Sequence, residues 1–200
     1  RAAPQRAPGA GDPQARALAA HDLGFASIDL QRAARRGRPE TMFGEGKTPA
    51  QVIAIARSLH GAGQDVLATR LSPEARALFA EEFASHSPEI NETARTAMLR
   101  ASREPRRGGL VGVVCAGTTD LPVAEEAAVT AEFFGSPVLR VVDVGVAGIH
   151  RLFRRLEDLE RCRVLVVVAG MEGALPSVVA GLVRAPVLAV PTSVGYGASF

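Results

Sequence analysis

The chain has 200 residues, 47% of them hydrophobic, and its 23 Lys and Arg against 21 Asp and Glu leave a formal charge of +2. That length suits one large domain or two small ones that bury a core. The balanced charge excludes a global field that would recruit nucleic acid or an acidic membrane, no apolar run reaches the ~18 residues needed to cross a bilayer, and the first residues lack a secretory pattern, so the reading is cytoplasmic.

Residues 1–22 carry Pro4, Pro8 and Pro13 among Ala, Arg and Gly and predict a mobile tail. Residues 23–104 predict a small α+β domain. Ser27 is placed to cap a helix that runs through Ala34 and stops at Gly37. Arg32, Arg35, Arg36 and Arg38 form a basic run there, and Arg100, Arg103, Arg106 and Arg107 a second; both read as solvated faces or linker rather than phosphate sites. Gly44-Glu45-Gly46-Lys47-Thr48 superficially resembles a phosphate loop, but that motif needs Gly where Thr41 stands. The better reading makes Thr48 an N-cap, Pro49 the first helical residue and Gln51 the capping-box partner, with an anion on the loop amides as the alternative.

Val52, Ile55, Ala56 and Leu59 then share a helical face that ends at Gly61. Residues 65–69 predict a strand. Ser72-Pro73 starts a helix that turns Ala75, Leu78, Phe79 and Phe83 inward, and His86 falls on the surface. The period of residues 92–99 suits strand and helix equally. A linker is placed at residues 105–109, in a stretch that carries Pro105 and Gly108-Gly109.

From residue 110 to 200 one unit repeats: an apolar run, a Gly-containing turn, then a helical pattern. LVGVVCAG, SPVLRVVDVG, CRVLVVVAG and APVLAVPTS are Val- and Leu-rich without alternation, as parallel strands covered on both faces are. Ligands of open parallel sheets bind at the carboxyl ends of strands, so the turns carry the candidate site. In the first turn Gly117 permits a tight bend, while Thr118, Thr119 and Asp120 lead into a helix that presents Val123, Ala127 and Thr130. A phosphate or ribose site and a plain N-cap at Thr119 or Asp120 are equally good accounts. The second turn, residues 143–150, has Asp143, Gly145, Gly148 and His150, and its Gly spacing lacks the third Gly of a dinucleotide fingerprint. In the third, Gly170, Met171, Glu172 and Gly173 put a carboxylate between glycines, where neither packing nor capping demands one; it can bind ribose hydroxyls or move a proton. The fourth turn brings Gly195, Tyr196 and Gly197. Cys115 and Cys162 read as small buried hydrophobes, and the lack of Trp with a single Tyr argues against base stacking on single strands.

The segments CAGTTDLPVAEEA, DVGVAGIHRL, VVVAGMEGALPSVVAGL and VPTSVGYGASF, with MFGEGKT ahead of them, resemble the pyridinium-3,5-biscarboxylic acid mononucleotide synthases of nickel-pincer cofactor biosynthesis. The second domain is in turn similar to the aminoimidazole ribonucleotide mutases. The resemblance implies a flavodoxin-like three-layer α/β sandwich with a parallel sheet, assembled as a homo-oligomer, octamer or dimer, through the C-terminal domain. It implies that Gly117, Thr118, Thr119 and Asp120 hold the ribose phosphate, with Gly145, Gly148, His150, Gly170, Met171 and Gly173 around the substrate. The Gly195, Tyr196 and Gly197 turn is a lid. The mutase's His loop is replaced by residues 143–151, and the His of its Ala-His-Leu-Pro stretch is absent from Gly173-Ala174-Leu175-Pro176.

The implied reaction is carboxylation of nicotinic acid adenine dinucleotide by CO2 and cleavage of its phosphoanhydride to release AMP. Glu172 is the proton-transferring or orienting carboxylate and Asp143 the next candidate. No tightly bound cofactor is implied, and the motifs decide nothing about Mg2+. The family's nucleophilic Cys lies in a Leu-Asn-Ser-Cys-Ala type motif beyond the Gly-Tyr-Gly segment, so residues 1–200 alone are expected to bind nucleotide poorly and not to carboxylate. The competing expectations are a non-catalytic adenine-nucleotide module and an aminoimidazole ribonucleotide mutase.

Overall fold

A computed structural model describes residues 21–101 and 108–193. Two four-stranded sheets organise them. The first contains β3 (Thr41–Phe43), β4 (Val66–Thr69), β5 (Glu89–Asn91) and β6 (Thr96–Leu99) in the order β3-β4-β6-β5. β3 pairs parallel with β4, while β6 is antiparallel to both of its neighbours. A two-stranded ladder, β1 (His21–Asp22) with β2 (Ser27–Ile28), precedes it.

The helices of this half are α1 (Arg32–Arg36), α2 (Pro49–Gly61) and α3 (Pro73–Glu82). α2 starts as its sequence demands. The Thr48 hydroxyl accepts the Gln51 amide, the Gln51 side chain accepts the Thr48 amide, and Pro49 fills a position where no N–H is needed. Ser72 caps α3 in the same way through the Ala75 amide.

The expected helix from Ser27 is corrected. Ser27–Ile28 is extended, because Ile28 is buried in the first core, and the helix begins only after Asp29 has bent the chain by accepting the Gln31 amide. In α3, Leu78 faces solvent and Arg76 is buried instead. Arg76 donates to the Leu71 carbonyl and to the Glu92 carboxylate, so its charge enters the core paired and bonded. The undecided stretch 92–99 is the turn and second strand of a hairpin, with Arg95 left-handed at φ 54°.

Alternation along β4 and β6 explains how the halves meet. Val66, Ala68, Ala97 and Leu99 face the core made with α2 and α3, whereas Leu67 and Met98 face the other way, onto Val129 and Phe133. Those two residues belong to α4 (Leu121–Phe133), whose opposite side sets Ala124 and Ala128 against Val113, Cys115 and Val168. α4 is therefore buried between the two sheets. The expected face of Val123, Ala127 and Thr130 is only half-buried, because a helix held between two sheets turns its deepest stripe to Ala124, Ala128, Val129 and Phe133. Two arginines close its C-terminal end. Arg38 donates to the Phe134 carbonyl at 2.7 Å and Arg100 to the Phe133 carbonyl at 2.8 Å, each with its guanidinium 4.8 Å from the ring of the same residue.

The second sheet holds β7 (Val111–Cys115), β8 (Val138–Val141), β9 (Val164–Ala169) and β10 (Val187–Pro191), all parallel, in the order β10-β9-β7-β8. The remaining helices are α5 (His150–Phe153), α6 (Leu156–Glu160) and α7 (Ala174–Leu182). Leu152, Leu159, Leu175 and Val179 from these helices cover one face while α4 covers the other, so the chain is α/β with a three-layer parallel sheet. Val179 is fully buried in this core. At the sheet edge Arg140 of β8 bonds both Glu125 and Glu132 of α4, which holds it firmly protonated and pins the strand to the helix. Both thiols are buried as expected, and burial pushes each above the ordinary thiol range. No helix among the described residues is long and apolar enough to cross a membrane.

Candidate functional site

The strand order, read from β8, is second, first, third, fourth. The connection from β7 runs to one side and that from β8 to the other, which opens a crevice at the carboxyl ends of β7 and β9. A cavity of about 260 Å³ lies there, lined by Gly117, Thr119, Asp120, Gly145, Arg151, Gly170, Met171 and Glu172, with Ala116, Val146, Ala147, Ala169, Ala174 and Leu175 as its apolar wall. Three of the four expected turns therefore converge on one space. The fourth contributes Thr192 from below, while Gly195, Tyr196 and Gly197 lie outside the described residues.

Backbone contact between loops fixes the floor. The Gly145 amide donates to the Ala116 carbonyl at 2.9 Å, and a Cβ on Gly145 would meet that same oxygen at 2.9 Å. Only glycine lets the loops after β7 and β8 touch in this way. In the first loop, Thr118–Asp120 forms a single 3-10 turn before α4, and neither Thr119 nor Asp120 caps the helix as expected. The Asp120 carboxylate turns back instead, accepting the Gly117 amide at 3.0 Å and the Thr192 hydroxyl at 2.6 Å. It ties the loop after β7 to the chain leaving β10. Thr119 is exposed in the cavity, whereas Thr118 is exposed but does not line it.

The third loop is bent by two left-handed residues, Met171 at φ 52° and Gly173 at φ 65°. A methionine there costs about 1–2 kcal/mol of backbone strain, which is typical of residues held at a site by their surroundings. The bend carries Glu172 to the cavity rim, solvent-exposed and with no bonding partner among the described residues. Behind it, α7 starts at Ala174 without any capping side chain, and its first two residues, Ala174 and Leu175, line the same space.

Arg151 is the cationic group of the cavity, and the turn motifs did not single it out. It follows His150 at the start of α5, and its guanidinium reaches back to Asp143 at 2.5 Å and to the Gly148 carbonyl at 3.4 Å. Asp143 is itself left-handed at φ 59° and exposed. Asp143, Gly148 and His150 thus lie beside the cavity rather than in its wall; His150 points to solvent, and Asp143 and Gly148 act on the site through Arg151. Gly173 shapes the bend but is not part of the wall. Among the described residues no three His, Cys, Asp or Glu side chains converge on a metal position.

With a Gly-rich loop, one guanidinium and one free carboxylate around the crevice, the comparisons acquire meaning. Residues 20–102 match the LarB/PurE-like N-terminal domain and residues 110–198 the AIR carboxylase domain. An uncharacterized protein of Methanocaldococcus jannaschii is 41% identical over 179 residues, covering 85% of this chain and 69% of its own length. The chain belongs to the LarB/PurE-like family. Members of this family are typically enzymes. An N5-carboxyaminoimidazole ribonucleotide mutase of Pyrococcus horikoshii is 34% identical over 84 residues, 41% of this chain and 48% of that protein. In this LarB/PurE-like chain, Ala174 stands in the cavity wall at the position where the mutase resemblance would put a histidine, and no histidine lines the cavity.

Proposed function

We propose that the protein carboxylates the pyridinium ring of nicotinic acid adenine dinucleotide and cleaves its phosphoanhydride, giving pyridinium-3,5-biscarboxylic acid mononucleotide and AMP. The observation that carries this reading is the lining of the crevice: a carboxylate and a guanidinium around a strand-end loop, with no imidazole, in a chain that joins a LarB/PurE-like N-terminal domain to an AIR carboxylase domain. Proton transfer by histidine, which the mutase chemistry uses, has no group to perform it in this wall.

Each described group has a task. The Gly117–Asp120 turn and the uncapped amides of α7 receive a phosphate, and Arg151 neutralises its charge. A cavity of about 260 Å³ is at the small end for ligand sites, so it encloses the nicotinate mononucleotide half and leaves the adenylate half in the open mouth. The thiolate of the cysteine that the resemblance places in a Leu-Asn-Ser-Cys-Ala type motif beyond the Gly-Tyr-Gly segment adds to the electron-poor ring, turning it into an enamine whose neighbouring carbon attacks CO2. Glu172 accepts the proton lost from that carbon as the thiolate departs and aromaticity returns. Neither Cys115 nor Cys162 serves as that thiolate, since both are buried outside the cavity wall. Water cleaves the phosphoanhydride, so one CO2 and one water are consumed for each AMP released.

Competition binding tests the reading. Nicotinic acid adenine dinucleotide should displace a labelled nucleotide at lower concentration than AMP or an aminoimidazole ribotide. Preference for the imidazole ribotide would move the protein to the mutase reaction, and preference for AMP alone would reduce the crevice to an adenylate-binding module.

A further inference from the structure

A second concave site lies at the far end of α4, made by the first basic run. The solvent-exposed side chains of Arg32, Arg36 and Arg38 rim an open surface concavity together with Thr41, Pro39 and the ring of Phe134, and no carboxylate lines it. α4 spans 13 residues, so at 1.5 Å per residue this concavity is about 20 Å from the crevice where the helix begins.

Several arginines elsewhere face a carboxylate, while others among the described residues, such as Arg154 and Arg184, stand singly on the surface; what sets this group apart is that three share one concavity. Arg57 meets Glu82, Arg76 meets Glu92, Arg140 meets Glu125 and Glu132, and Arg155 meets Asp158. Within the basic run only Arg35 follows that habit, turning away from the concavity to Asp29. Asp29 also feels the charge of Arg32 but is committed to Arg35 by two hydrogen bonds. Arg32 and Arg36 have no ion-paired carboxylate among the described residues. They stand four apart on α1, where like charges on one helix face oppose each other by a few tenths of a kcal/mol. Arg38 is already oriented, its guanidinium bonded to the Phe134 carbonyl and stacked on the ring. Three guanidiniums that share a concavity, one pre-positioned and two uncompensated, make a fork-donor set for phosphate oxygens.

We propose that this concavity binds a small phosphorylated molecule carrying a diphosphate group. Arg32 and Arg36 supply the charge, Thr41 offers a hydroxyl to the phosphate, and Arg38 couples the site to the end of α4. The site is separate from the crevice and does not depend on the reaction assigned there.

Equilibrium dialysis of the whole chain with labelled inorganic pyrophosphate, and separately with ADP, tests this. The wild-type protein and an R151A variant should both retain the site, while R32A/R36A in the R151A background, where the crevice has lost its cation, should weaken it at least about tenfold. R32K/R36K, which keeps the charge but loses the fork, should fall between. ADP binding tighter than pyrophosphate identifies the ligand as a nucleotide; equal affinities identify the diphosphate alone. Undiminished pyrophosphate binding when R32A/R36A is added to R151A would overturn the proposal, as would complete loss in R151A alone.

Discussion

Asp120 offers the clearest test of how the crevice is built. It is 5% exposed, and its carboxylate holds the Gly117 amide at 3.0 Å and the Thr192 hydroxyl at 2.6 Å. Asp120→Ala removes an ionised acceptor from two donors, each bond being worth ~1.5–3 kcal/mol. Thr192 is buried and loses its partner outright, whereas Gly117 is half-buried and regains water, so the total belongs at the low end, about 3 kcal/mol. Asp120→Asn keeps the shape. Its carbonyl accepts the Gly117 amide and its amide donates to a rotated Thr192 hydroxyl, for a loss of about 1 kcal/mol. Because the chain has no Trp, urea unfolding is followed by far-UV circular dichroism. With a slope of about 2 kcal/mol/M, the Ala variant should lower the midpoint by about 1.5 M and the Asn variant by about 0.5 M. Equal shifts for the two variants, or a loss below about 0.5 kcal/mol for Ala, would refute the idea that Asp120 is a buried tie between the first and last loops.

Arg151→Ala should weaken phosphate-bearing ligands of the crevice by about ten- to a hundredfold without changing the urea midpoint, as measured by nucleotide titration, since the side chain is exposed and bonded only to Asp143 and Gly148. Phe133→Ala empties a fully buried position between the sheets and removes the ring under Arg100; a loss of about 3–5 kcal/mol is expected in unfolding, with faster amide exchange in β4 and β6 as well as in α4. His60 packs edge-on to His86 at 4.7 Å, and burial together with that neighbour lowers its pKa. The unfolded chain then binds protons more readily than the folded one, so stability should fall as pH drops below about 6.5, and His60→Phe should flatten that slope in unfolding curves taken between pH 5 and 8.

The second sheet was legible because its four runs do not alternate, and unbroken Val-rich runs between glycine turns have few other uses. The location of the crevice was legible for the same reason, since the turns that follow parallel strands meet at one end of the sheet, and Gly117, Gly145 and Glu172 line it together. Errors gathered where tertiary contacts overrule local pattern. Ile28 is drawn into the core and keeps Ser27 extended, and Arg76 enters the α3 interface in place of Leu78 because Glu92, sixteen residues on, compensates it. The face of α4 was misread because period alone assumes one buried stripe, while this helix touches two sheets. Arg151 was hidden for a related reason: its role comes from Asp143 across a loop, a relation that spacing alone does not disclose.

Product analysis bears most directly on the proposed reaction. The natural full-length protein, incubated with nicotinic acid adenine dinucleotide and 13C-labelled bicarbonate, should yield AMP and a mononucleotide labelled at a new ring carboxyl, and Glu172→Gln should still bind the dinucleotide while losing about a hundredfold or more in that rate. Unchanged dinucleotide, with turnover of an aminoimidazole ribotide in its place, would contradict the account.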